Sequence, residues 1–131
     1  MKIAEKVISL LSDESSVKVI SSISSDGVLH SIAAGSVMPM GEDKLIAAEI
    51  FMNTTSKNIQ ANKNVAVLVV KGMESYLINA TAIERYTDGK VFEMMSKPMS
   101  EKGIPVKAVW TFEVNDIFDQ SASPNAGTKL D

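Results

Sequence analysis

Hydrophobic and polar positions change their period several times along the chain. Apolar residues at positions 3, 4, 7, 8, 10 and 11, interrupted by charges, follow the helical repeat and predict an amphipathic helix within residues 1–14. Next, "VKVISSIS" and "VLHSIAAGSVM" flank "SDG", whose Asp-Gly pair favours a tight reversal, so the two runs predict an antiparallel hairpin. "MPMGEDK", punctuated by Pro39 and Gly41, predicts a turn into a third strand, "LIAAEIF". A short, mostly solvated helix is expected over "TSKNIQAN", residues 55–62.

The second half is strand-rich. "VAVLVV", residues 65–70, is a continuous run of the kind covered on both faces. In "YLINATAIERY" Tyr76, Ile78, Ala80 and Ala82 share one face, and the segment predicts a long strand. A helix of one to two turns is expected from about Asp88 to Pro98, then a loop at "EKGIP". Val106, Ala108, Trp110, Phe112 and Val114 alternate with more polar neighbours and predict a closing strand that carries two aromatic rings into the core. Periodicity is lost over 115–131, which predicts a surface tail. Six strands with local connections, plus short peripheral helices, predict a mainly-β barrel, because closure removes exposed sheet edges.

Composition narrows the functions. The 131 residues are expected to form one domain, since 45% apolar and 22% charged content is that of an ordinary globular chain. A net charge of −3 argues against a general nucleic-acid binder, and no stretch is long and apolar enough to span a bilayer. The N-terminal pattern reads as a helix and not as a signal peptide, so the expected location is the cytoplasm. With no cysteine, thiol chemistry and thiolate metal sites are absent, and any redox chemistry must come from a cofactor.

His30, the only histidine, has no partner at metal or triad spacing, and no HExxH, GxSxG or GxxxxGK[ST] motif occurs, so no residue is assigned a catalytic role and no metal is expected. Glu49 interrupts an apolar strand, as a solvent-facing residue would. One constellation carries a chemical purpose: Thr54, Thr55, Ser56 and Lys57 stand where a helix is expected to begin. Free backbone N–H groups, the helix dipole, three hydroxyls and a cation together suit the oxygens of a phosphate monoester. Simple helix capping accounts for the same hydroxyls. The strands before them, "SIAAGSV" and "LIAAEIF", are rich in small residues, which permits close approach of a flat ligand or a partner chain, or tight packing in a narrow barrel. "MMSKPM" suits a groove lining or core filling.

In order, "DGVLHSIAAGSV", "FMNTTSKNIQANKNVAVLVV", "YLINATAIERYTDG" and "VWTFEVNDIFDQS" resemble the FMN-binding split-barrel family, which includes pyridoxamine 5′-phosphate oxidase-like and small FMN-binding proteins. The likeness runs from about Val17 to Ser121, and its most specific part is Thr55-Ser56-Lys57-Asn58 followed by Ala61-Asn62-Lys63-Asn64-Val65. It implies a six-stranded antiparallel split β-barrel, a homodimer with FMN between the barrels, and activity as a flavin-dependent oxidoreductase or electron carrier. It further implies that Thr54, Thr55, Ser56 and Lys57 grip the phosphate. Ala34, Gly35, Ser36 and Val37, with Ala48, Glu49 and Ile50, then meet the isoalloxazine. The tail "QSASPNAGTKLD" has no arginine and lacks the basic substrate motif of a true pyridoxamine-phosphate oxidase, so that reaction is not implied. Arg85, the only arginine, lies far along the sequence from the phosphate grip. A cofactor-free dimerising barrel and a binder of another flavin-like ligand, such as a deazaflavin, are the alternatives.

Overall fold

A computed structural model describes all 131 residues. In chain order the elements are α1 (Glu5–Ser12), β1 (Val17–Ile23), β2 (Leu29–Ala33), β3 (Met38–Met40), β4 (Lys44–Glu49), α2 (Asn53–Ala61), β5 (Asn64–Lys71), β6 (Glu74–Tyr86), α3 (Gly89–Glu101), β7 (Ala108–Asp119) and β8 (Thr128–Lys129). The strands form one antiparallel sheet in the order β2-β1-β5-β6-β7-β4-β3, with β8 pairing the far end of β7. Gly27 takes the positive φ of the β1–β2 reversal, as Asp-Gly predicts.

Eight strands replace the expected six, and the sheet is not closed: β2 and β3 are its two ends. The run 28–38 divides because Ala34–Val37 leaves the sheet between β2 and β3, and the tail adds β8. Where the sheet is open, helices do the covering. α1 packs on β3 and β5, and α2 packs on β1 and β2. The main core lies inside this wrap, with Ile20, Leu45, Ile59, Val67, Ile78, Trp110 and Phe112 among its members.

Three further expectations change. "VAVLVV" is buried on one face only, with Val65, Val67 and Val69 inward and Ala66, Leu68 and Val70 outward. β4 is the strand covered on both faces, because α3 lays Met95 over Ile46, Ala48 and Val109 in a second small core. The third helix does not stop at Pro98 but runs through it for 13 residues. Its apolar contact with the sheet outweighs the missing N–H, since helix stability in proteins comes largely from packing.

Two β-bulges explain where the alternation failed. The β6–β7 register shifts between Asn79 and Ala80, and again between Ala82 and Glu84. At the first, Asn115 is the unpaired residue, so the inward series Trp110, Phe112, Val114 resumes at Ile117 and β7 continues to Asp119. At the second, Ile83 is extra, and Arg85 stands opposite Trp110 on the inner face.

Candidate functional site

Strict period-two alternation would send Arg85 to the side opposite Ala82, and the Ile83 bulge reverses that phase. The guanidinium therefore reaches inward to β4. Its Nε donates to Glu49 Oε1 at 3.0 Å and its Nη2 to Oε2 at 2.9 Å, a bidentate pair. The Trp110 indole Nε1 donates to the same Oε1 at 2.9 Å. Glu49 is thus not solvent-facing; it is 2% exposed and holds three donors. Burial alone would raise its pKa, but the Arg85, Ser56 and Trp110 donors prevail and bring it down to about 2. The carboxylate is charged at any physiological pH.

This ion pair borders a cavity of about 450 Å³ whose walls are Glu49, Asn53, Ser56, Lys57, Gln60, Arg85 and Lys107, with no apolar residue among them. Four of those residues come from α2 at positions i, i+3, i+4 and i+7, which is one stripe of a helix. That spacing dissects the contiguous Thr54-Thr55-Ser56-Lys57 cluster. Ser56 and Lys57 face the cavity; Thr54 is exposed elsewhere, and Thr55 is fully buried with Oγ1 unpartnered. The helix begins at Asn53, two residues earlier than expected, and no side chain caps it. Simple capping therefore does not account for the hydroxyls, and the N–H groups ahead of Ser56 have no helical acceptor.

Lys57, Arg85 and Lys107 against Glu49 leave the cavity with a formal charge of +2. Arg85 uses two of the guanidinium's five donors on Glu49, so three remain for a ligand. Asn53 and Gln60 add amides. Such a wall suits a phosphate dianion attached to a hydroxylated chain. Sequence reasoning missed Arg85, Asn53, Gln60 and Lys107. The helical stripe was readable once α2 was correctly started; the bulge was not.

A second cavity, about 270 Å³ and mostly apolar, takes its walls from the same β4–α2 segment. Ala34, Gly35, Ser36, Ala48 and Ile50 line it, with Phe51 and Ile104 beside them. The Ser36 hydroxyl accepts from the Ala48 N–H at 2.9 Å and donates to the Ala48 carbonyl at 3.2 Å, which fixes the loop against β4. A Cβ on Gly35 would meet nothing within 4 Å, so the wall there is open. Val37 does not contribute its side chain, which is wholly buried in the core. His30, on β2, lines neither cavity. No group of three or more metal-ligating side chains is present.

An open, helix-wrapped antiparallel sheet of this topology is the split-barrel fold found in FMN-binding and pyridoxamine 5′-phosphate oxidase-like proteins. The chain is similar to HupZ of Group A Streptococcus, at 23% identity and a TM-score of 0.80 over 95% of this chain and 99% of that one. It is also similar to an FMN-binding protein from Syntrophomonas wolfei, at 17% identity and a TM-score of 0.81 over 91% and 86% of the two chains. In sequence, an uncharacterized protein of Methanocaldococcus jannaschii is 29% identical across 97% of this chain and 87% of that protein. No family model matches the sequence. Cofactors named for proteins of this fold are not uniform, for an F420 reductase and the heme storage protein HutZ of Vibrio cholerae share it at TM-scores of 0.67 and 0.63.

Proposed function

We propose that the protein binds FMN and works as a flavin-dependent oxidoreductase or electron carrier. The observation that carries this reading is the polar cavity in which Lys57, Arg85 and Lys107 outnumber Glu49, next to an apolar cavity lined by small residues. A phosphate monoester brings two negative charges, which the formal +2 of the cavity matches; a diester brings one. That charge count favours FMN over a flavin-like ligand joined through a diester. Lys57, Arg85 and Lys107 would hold the phosphate, while Asn53 and Gln60 would meet the ribityl hydroxyls. Ala34, Gly35, Ser36, Ala48 and Ile50 would meet the ring. When bound, FMN would supply the electron-accepting chemistry, and the chain's own residues would bind and orient it.

The homodimer belongs to the same reading. Ala33, Val19, Leu68, Leu77 and Phe118 are cross-strand neighbours in one outward row over β2, β1, β5, β6 and β7, and none of them is in the core. A soluble surface seldom leaves such a row uncovered. The reading is tested by titrating the purified protein with FMN and with riboflavin and following the visible flavin spectrum. FMN is expected to bind more tightly than riboflavin, and Lys57→Ala or Arg85→Ala to reduce FMN to the riboflavin level. Equal affinities for the two would remove the phosphate grip that carries the proposal, and no binding of either would sink it and favour a cofactor-free barrel.

A further inference from the structure

A buried cation elsewhere in the molecule lacks a counter-ion. Lys18 lies on the inward face of β1 and is 7% exposed, yet no carboxylate lies within ion-pair distance of it. Its Nζ donates to the Leu11 carbonyl at 3.1 Å and to the Val37 carbonyl at 2.7 Å. The first acceptor belongs to the last turn of α1, so part of the ammonium's role is to cap that helix. Two neutral carbonyls still leave one N–H without an acceptor and the ammonium without a directly paired carboxylate, an expensive condition for a buried group.

The cost has an outlet. Lys18 lines a cavity of about 340 Å³ between the end of α1, the start of β1 and the face of α3. Ser16 lines it too, and its Oγ is buried without a hydrogen-bond partner. Two residues apart along extended chain, Ser16 and Lys18 project to the same side. Leu11, Met38, Met95 and Met99 supply an apolar wall, with the adaptable methionine side chains on α3 and β3. Asp13, Glu14 and Lys102 also line the cavity, Asp13 being engaged by Lys71 and Ser15. Burial pushes the Lys18 ammonium pKa down, in the direction expected of a cation with no anion beside it.

We infer that this cavity is a second ligand site, separate from the polar cavity at Arg85, and that it takes a small organic carboxylate. Lys18 and Ser16 donate to the two carboxylate oxygens, and the apolar body lies against Met95 and Met99. A monatomic anion would leave the methionine wall uncovered, and an uncharged ligand would leave the Lys18 charge unmatched. The cavity shares Gly35 and Ser36 with the apolar cavity beside β4, but the inference does not rest on the FMN reading.

The test uses the intact chain with methyl-labelled methionine, titrated in parallel with sodium hexanoate and with hexanol. Hexanoate is expected to shift the Met95 and Met99 methyl signals saturably, and hexanol is not. Lys18→Leu should weaken hexanoate at least about tenfold, the loss of one hydrogen bond to a charged group. Should the loss of the α1 cap leave that variant unfolded, Ser16→Ala keeps the question open to test and should weaken hexanoate about fivefold. Absence of a saturable shift, an equal response to hexanol, or unchanged affinity in a folded variant would overturn the inference.

Discussion

Arg85 and Thr55 show how far single residues mislead when read in line. Thr55 belongs to the hydroxyl cluster that first suggests a phosphate grip, yet its Oγ1 is buried and unpartnered. Thr55→Val is therefore expected to leave FMN affinity unchanged and to hold or raise stability, by up to about 1 kcal/mol, because it removes an unsatisfied polar atom at nearly constant shape. Arg85→Ala, by contrast, should cost FMN at least about tenfold in Kd, the equivalent of a charge-assisted hydrogen bond. Titration and urea unfolding of the two variants check both statements. Glu49 adds a pH dependence. Its folded pKa of about 2 lies below the usual 4.5, so its contribution to stability is complete above about pH 4.5 and is lost as pH falls toward 2. Urea unfolding followed by circular dichroism across that window should show the slope in the wild type and a weaker one in Glu49→Gln.

Elements were legible wherever their period stayed regular. The hairpin at "SDG", the alternation of β6 from Tyr76 to Ala82 and the start of β7 follow from spacing alone. What could not be read was the phase error of a bulge, because an extra residue such as Ile83 or Asn115 has no signature of its own in side-chain chemistry. The same blindness hid both the cation opposite Trp110 and the continuation of β7. α3 outruns its sequence signal for a different reason: proline is a sound local stop signal, but the contact of Met95 with Ile46, Ala48 and Val109 overrides it. Pro98 remains a local cost. Pro98→Ala restores an N–H toward the Met94 carbonyl and should stabilise the protein by about 1–3 kcal/mol in chemical unfolding, since the helix is continuous through that position. A stability equal to or below that of the wild type would show that the turn at Pro98 is held by something other than its backbone.

For the whole molecule, the outward row from Ala33 to Phe118 crosses five strands without a charge. Leu77→Lys at its middle should convert a species of twice 14.1 kDa into one of 14.1 kDa in sedimentation, with the circular dichroism of the fold retained. A wild type that is already monomeric at micromolar concentration would remove the dimer from the proposed function. The general architecture was available from the pattern of strands and helices, whereas the open path from β2 to β3 was not, since which edges meet is decided by packing far apart in sequence. One link in that packing has a practical side. The chain contains a single tryptophan, and its indole shares a carboxylate oxygen with the arginine at the polar cavity. An anion that draws Arg85 toward itself changes the electric field at the indole, so the protein's intrinsic ultraviolet emission becomes an unlabelled gauge of occupancy, able to report even a colourless phosphate ester.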